Sequence, residues 1–82
     1  RYVPPEIAVD IAEHVGAEEL SAREIEILRK VAQGLSNKQI GAQIGIAEET
    51  VKTHLKSTFA KLSVRDRTQA IAVAVSRGIF QL

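Results

Sequence analysis

Three residues at spacings of four and six positions, Gly41, Gly45 and Val51, constrain the fold of this chain more than any other feature. They lie where one helical pattern ends and the next begins. Gly41 leaves room for close packing between two helices, Gly45 suits a left-handed turn position, and Val51 fills the angle from the second helix. Two helices that meet nearly at right angles through a tight turn need all three properties. The spacing therefore predicts the helix-turn-helix arrangement.

The rest of the chain is also helical in pattern. Apolar residues recur three or four positions apart, and apolar–polar alternation nowhere lasts for five or six residues. Ser-Ala-Arg-Glu at 21–24 and Ser-Asn-Lys-Gln at 36–39 have the spacing of capping boxes, which begin helices. The pattern predicts an all-α bundle of four helices, preceded by a linker helix. The predicted ranges are about 21–33, 36–44, 48–62 and 66–77, with the linker helix at about 5–15.

An 82-residue chain with 45% hydrophobic residues has the composition of one small globular domain. We expect that domain to span residues 21–82, after an acidic linker over residues 1–20. The helices predicted over 21–33 and 48–62 each have one apolar face. The core positions predicted for the helices over 21–33 and 48–62 are Ile25, Leu28, Val31, Ala32, Leu35, Val51, Leu55, Thr58, Phe59 and Leu62.

Composition also excludes several classes of function. The chain has no Cys, and its two histidines, His14 and His54, lie on different predicted helices, with no HxxxH pair or carboxylate cluster at ligand spacing. Disulfides, thiolate chemistry and a metal site are therefore not expected, and neither is a cofactor. Because no nucleophile or acid–base pair stands out, we do not expect an enzyme. The longest apolar run, residues 70–75, is too short to span a membrane, so we expect a cytoplasmic protein without membrane contact.

Charge is distributed unevenly along the chain. Residues 1–28 hold two basic and seven acidic residues, a net charge of −5, whereas residues 29–82 hold nine basic and three acidic residues, a net charge of +6. A change of sign on this scale favours an anionic partner for the C-terminal part. Ordinary solvated helix faces are the alternative interpretation.

The polar face of the predicted helix over 48–62 carries the candidate base contacts. Lys52 and Lys56 lie one turn apart and can reach the O6 and N7 atoms of guanine or a phosphate. Thr53 lies between them and presents a methyl group that fits against thymine. In a helix-turn-helix the second helix enters the major groove, so this face predicts DNA recognition. A solvated face without a ligand is the alternative.

Four segments together resemble the LuxR/NarL/FixJ-type DNA-binding domain over about residues 20–80. They are LSAREIEIL at 20–28, GLSNKQI at 34–40, TVKTHL at 50–55 and KLSVRDRTQA at 61–70. The segment YVPPEIA at 2–8 is similar to the linker that follows the receiver domain in NarL-type response regulators. The resemblance implies sequence-specific binding to double-stranded DNA and regulation of transcription. It implies the C-terminal output domain of a two-component response regulator, with no enzymatic activity.

The resemblance also assigns roles to individual residues. It makes the helix over 48–62 the recognition helix and places base contacts on Lys52, Thr53 and Lys56. The candidates for contacts with the DNA backbone are Ser36, Asn37, Lys38, Thr50, His54, Arg65 and Arg67. The last helix is implied to form a homodimer contact.

The apolar run at 70–75 is consistent with that dimer, because it surrounds the whole helix. We predict that Ala70, Ile71, Ala74 and Val75 face the core. The residues then left outside, which form the predicted dimer contact, are Gln69, Ala72, Val73 and Ser76. Contact with another part of the protein or with the first helix is the alternative.

Two positions depart from the family pattern. Ala47 stands where the family usually has a Ser or Thr that caps the recognition helix, and loss of such a cap destabilises a helix by about 1 kcal/mol. Gly41 stands where Ala is usual, which lowers helix propensity by about 1 kcal/mol. Neither residue lies on the predicted base-reading face.

Alternatives to a response regulator remain open. Because the sequence starts at Arg1 and not at Met, we expect a piece of a longer protein whose upstream receiver domain is missing. The same domain could instead follow a ligand-sensing module, or the chain could be a helical protein-interaction module that does not bind DNA. RNA polymerase is a further candidate partner.

Overall fold

A computed structural model describes residues 19–81 of the chain. In this part of the chain there are four helices and no strand. The helices are α1 (Ala22–Ala32), α2 (Asn37–Ile44), α3 (Glu48–Leu62) and α4 (Arg67–Ser76). The predicted all-α helix-turn-helix bundle is confirmed, and each predicted boundary lies within one residue of the observed one. The predicted linker helix over 5–15 lies outside the described residues, and the predicted domain boundary at residue 20 stays a prediction.

The predicted capping boxes begin the first two helices. Ser21 Oγ accepts a hydrogen bond from Glu24 N at 3.1 Å, and Glu24 Oε1 accepts one from Ser21 N at 2.7 Å. Ser36 and Gln39 repeat the arrangement at 3.1 and 2.8 Å. Two backbone N–H groups that lack helical partners are thus satisfied at each start. At α3, by contrast, Ala47 makes no side-chain cap.

Gly45 begins the turn between α2 and α3, and Gly41, inside α2, lies against that turn. Gly45 adopts the left-handed conformation, with φ 76°, and ends α2. Its N–H donates to the carbonyl oxygen of Gly41 at 2.8 Å, and Ile46 N–H donates to the same oxygen at 3.0 Å. A methyl group on Gly41 would lie 2.5 Å from the carbonyl oxygen of Ile46, so any larger residue requires the turn to shift. Val51 is fully buried behind the turn, as predicted.

The core lies between α1, α3 and α4, with Ile40 added from α2. Its buried hydrophobic residues are Ile27, Leu28, Val31, Ile40, Val51, Leu55, Leu62, Ala70, Ala74 and Phe80. The predicted core face of α1 is displaced from the observed one. Ile27, which the prediction omitted, is fully buried, whereas Ile25 is only half-buried. The face follows the spacing 24, 27, 28 and 31, which is a regular helical stripe.

The inward prediction for Val75 on α4 is wrong. Ala70 and Ala74 are fully buried, but Val75 is 39% exposed, and Val73 is half-buried against the core. Each residue turns a helix by about 100°, so Ile71 and Val73 flank the centre of the alanine face equally. Val75 lies about 120° from that centre on the same geometry, which turns it outward.

Candidate DNA-binding surface

α3 has one buried side and one exposed side. Val51, Leu55 and Thr58 are buried, and the Thr58 hydroxyl donates to the carbonyl oxygen of His54 at 2.8 Å. On the other side, Lys52, Thr53 and Lys56 are all exposed. These three side chains are the predicted base contacts, and the structure brings them to one face of a helix that is anchored from behind.

The first exposed turn of α3 is joined by two local contacts. Lys52 Nζ lies 3.2 Å from Glu49 Oε1, with the two side chains 54% and 82% exposed. The Thr53 hydroxyl donates to the carbonyl oxygen of Glu49 at 3.1 Å. An exposed ion pair of this kind contributes little to stability, so the Lys52 ammonium group can leave Glu49 for a ligand at small cost.

An ion pair between a half-buried lysine of α3 and a buried carboxylate group of α1 fixes the two helices together. Lys61 Nζ lies 2.8 Å from Glu24 Oε1, and Glu24 is only 3% exposed. Burial raises the pKa of this carboxyl group, but hydrogen bonds from Lys61, Ser21 and Ser57 outweigh it and lower the pKa to about 2. Glu24 is therefore charged at neutral pH and holds α3 in place.

Sequence reasoning missed this role of Glu24. The signal was present, because Glu24 lies three, four and seven residues before buried positions of α1. An acidic residue on a core stripe is almost always paired. Its partner, Lys61, lies 37 positions away in the sequence, and no short-range pattern identifies it.

The residues predicted to contact the DNA backbone lie around α2, α3 and the start of α4. Ser36, Lys38, Thr50 and Arg65 are exposed, and His54 is half-buried. Ser36 caps α2 through its oxygen, which leaves its hydroxyl proton available. Their contacts with phosphate stay predictions.

Asn37 and Arg67 bond to each other. The Arg67 guanidinium group donates to Asn37 Oδ1 and to the carbonyl oxygen of Leu35 at 3.3 Å. Both side chains belong to half-buried residues, and the bonds tie the start of α4 to the start of α2. A guanidinium group has five N–H donors, so a phosphate contact by Arg67 remains a prediction beside this structural role.

Chemically, this surface offers ammonium, guanidinium and hydroxyl groups, which suit an anionic ligand. Within residues 19–81, no group of three or more His, Cys, Asp or Glu residues could hold a metal ion. No helix in the described part of the chain is both long and apolar enough to cross a membrane.

Comparison with known proteins agrees with this geometry. Residues 18–74 match the family GerE, described as "Bacterial regulatory proteins, luxR family". The chain is 44% identical over 72 residues to the probable transcriptional regulatory protein SgaR of Hyphomicrobium methylovorum, covering 88% of this chain and 34% of SgaR. It is 48% identical over 63 residues to the nitrate/nitrite response regulator protein NarP of Escherichia coli, covering 71% of this chain and 29% of NarP.

A solved structure shows the same fold. The chain is 45% identical to the response regulator ChrA of a heme-sensing two-component system, with a TM-score of 0.75 over 98% of this chain and 41% of ChrA. The chain thus spans about a third of the length of these curated relatives. The matched residues run from the start of α1 into α4 and include the helix-turn-helix. The chain therefore belongs to the LuxR family of bacterial regulatory proteins.

Proposed function

We propose that this chain binds double-stranded DNA in a sequence-specific manner and regulates transcription as the output domain of a two-component response regulator. The observation that carries the proposal is the exposed face of α3, where Lys52, Thr53 and Lys56 lie together on an anchored helix. Family membership and the response regulators among the relatives support it.

In this proposal α3 is the recognition helix and lies in the major groove, while α2 crosses the DNA backbone. The ammonium groups of Lys52 and Lys56 donate to guanine O6 and N7. The hydroxyl proton of Thr53 is already used within the helix, so Thr53 contributes its methyl group and its oxygen lone pair. Each good base contact discriminates against a wrong base by about 1–3 kcal/mol.

Contacts with phosphate provide affinity and register. Lys38 and Arg65 are exposed and cationic, and Ser36, Thr50 and His54 offer further hydrogen-bond donors around the same helices. Each phosphate that the protein neutralises releases counterions, so affinity falls as salt rises. Asn37 and Arg67 support this surface by joining α4 to α2, and they contribute donors to phosphate at its edge.

A homodimer through α4 would place two recognition helices on one duplex. Gln69, Ala72 and Ser76 are exposed as that contact requires, and Val75 adds an exposed apolar group to the same helix. Val73 is half-buried and contributes only its outer part. Spacing of two half-sites by about one helical turn is the expected sign of this dimer.

The remaining parts of the proposal concern the whole protein. The output domain follows a receiver domain, acts in the cytoplasm without enzymatic activity, and contacts RNA polymerase when bound to DNA. A ligand-sensing module in place of the receiver is the alternative arrangement. The residues that precede Arg1 in the full gene product distinguish them, because only a receiver carries an acidic pocket with a phosphorylatable Asp.

Selection from a pool of random duplexes tests the function directly. We expect the bound fraction to converge on one sequence motif, with an affinity that decreases steeply as salt is raised. A pseudo-palindromic motif supports the dimer. If no duplex is retained at low salt, the chain is a protein-interaction module and the proposal is wrong.

A further inference from the structure

Glu49 is an acidic residue on the base-reading side of α3. It lies three residues before Lys52, four before Thr53 and seven before Lys56, so all four share one side of the helix. Its side chain is 82% exposed. A carboxylate group that approaches an anionic duplex opposes binding to phosphate. Any favourable effect of Glu49 on binding must therefore come through base selection.

The local contacts of Glu49 do not give it a large structural role. Its ion pair with Lys52, at 3.2 Å, is exposed, and an exposed pair three residues apart adds little to helix stability. What the pair does is place one acceptor and one donor side by side at the start of the recognition helix. Because the Thr53 hydroxyl donates to the backbone of Glu49 at 3.1 Å, it does not compete with Lys52 for the carboxylate.

A neighbouring acceptor and donor are complementary to the major-groove edge of a C·G base pair. Cytosine presents its N4 amino group as a donor, and guanine presents O6 and N7 as acceptors beside it. A carboxylate facing N4 and an ammonium group facing O6 and N7 satisfy both. In the inverted pair the carboxylate faces acceptors and is repelled. An A·T pair offers the ammonium group a single thymine O4 beside a methyl group, which is a poorer match.

We propose that Glu49 is a specificity-determining residue, which acts with Lys52 to select one C·G base pair. The cytosine amino group lies against the carboxylate of Glu49, and the guanine of the same pair lies against the ammonium group of Lys52. The inference rests on the DNA-binding function proposed above and deepens it.

Two matched variants separate base selection from simple charge. Glu49→Gln removes one negative charge and keeps the size of the side chain. Glu48→Gln makes the same change one residue away, and Glu48 is also exposed and also in the first turn of α3. Both variants lose attraction to the helix N-terminus, and Glu49→Gln loses in addition only an exposed ion pair, so we expect their effects on stability to be similar.

The measurement is the affinity of the 82-residue chain for the selected duplex and for duplexes changed at one base pair at a time. At one position we expect the wild type to prefer C·G over G·C by roughly fivefold or more. Glu49→Gln reduces that preference severalfold but leaves part of it, because glutamine carries both a donor and an acceptor while Lys52 still favours guanine. Glu48→Gln keeps the wild-type preference. Both variants bind random duplex more tightly, to a similar extent.

Two results overturn the inference alone. In the first, Glu49→Gln keeps the wild-type base preference at every position. In the second, Glu48→Gln lowers the preference for C·G at the same position by the same factor as Glu49→Gln. A wild-type chain without any preference among duplexes overturns the proposed function as well. The two failures are thus distinguishable within one experiment.

Discussion

The two ends of α3 carry the same chemical pair in opposite surroundings. At the C-terminal end, Lys61 and Glu24 lie 2.8 Å apart with side chains only 22% and 4% exposed. At the N-terminal end, Lys52 and Glu49 lie 3.2 Å apart with side chains 54% and 82% exposed. The first pair joins two helices, and the second lies within one turn of a single helix that lacks a side-chain cap.

Burial decides what each pair can do. Removing one partner of a buried pair leaves a charge without compensation, which destabilises the fold strongly. An exposed pair is screened by water, so either partner can turn to a ligand at little cost. The same helix is thereby fixed at one end and available for binding at the other.

The largest effect is expected at the buried pair. Glu24→Ala removes the partner of Lys61 and the second half of the α1 capping box, so we expect the free energy of unfolding to fall by about 3 kcal/mol. Glu26→Ala is the matched control, because Glu26 lies on the same helix in an exposed pair with Arg23 at 3.0 Å. That control is expected to change stability by about 0.5 kcal/mol or less. Urea denaturation measures the stability of both variants. Equal losses of stability would show that the Glu24–Lys61 pair matters no more than an exposed pair.

The pH dependence of stability sharpens the same point. The pKa of Glu24 is about 2 in the folded chain against an ordinary value of 4.5, so the unfolded state binds the extra proton in this range. The contribution of Glu24, at most about 3 kcal/mol, is fully present above pH 4.5 and is lost as the pH falls toward 2. Glu24→Gln keeps a capping side chain but removes this part of the pH dependence. The measurement is the urea midpoint of the wild type and the variant as a function of pH. If the two midpoints decline in parallel below pH 4.5, the lowered pKa of Glu24 is contradicted.

At the exposed end, binding changes while stability does not. Lys52→Ala and Lys56→Ala should each weaken binding to the selected duplex by about 1–3 kcal/mol and random duplex much less. The free energy of unfolding should change by no more than about 0.5 kcal/mol in each variant, because both residues are exposed. Titration of both duplexes tests the assignment. Equal losses of affinity for the selected and the random duplex would show that the two lysines contact phosphate groups and not bases.

The smallest effect concerns the uncapped start of α3. Ala47 has φ −68° and ψ 151°, which is the backbone conformation of an N-cap. Ala47→Ser supplies the missing acceptor and should raise the free energy of unfolding by about 1 kcal/mol. Ala60→Ser makes the same change at an exposed position inside α3 and should lower stability by about 0.5 kcal/mol. Thermal denaturation compares the two variants. A loss of stability in both would show that the backbone N–H groups in the first turn of α3 already have other partners.

Short-range signals predicted most of the fold. Capping boxes at Ser21 and Ser36, glycine at the turn and the periodicity of α3 each act within one or two helical turns, so the sequence displays them directly. The contacts between distant segments were not predictable in this way. Glu24 and Lys61 lie 37 positions apart in the sequence, and Asn37 and Arg67 lie 30 positions apart. Each pair is brought into contact by the packing of whole helices.

In the candidate site, too, local features were predictable from the sequence and features set by helix packing were not. Exposure of Lys52, Thr53 and Lys56 followed from helical geometry alone. The outward turn of Val75 did not, because an apolar run around the whole of α4 has no preferred face. Only the position of α4 against α1 and α3 decides which of its residues are covered.

The central claim is that the exposed face of α3 contacts the bases. The most direct test is to follow the backbone amide signals of the chain by NMR while the selected duplex is added. The account predicts the largest changes from Glu49 to Lys56, with smaller changes around Ser36 to Lys38. Changes confined to the outer face of α1 or to α4, with those of α3 unaffected, would contradict it.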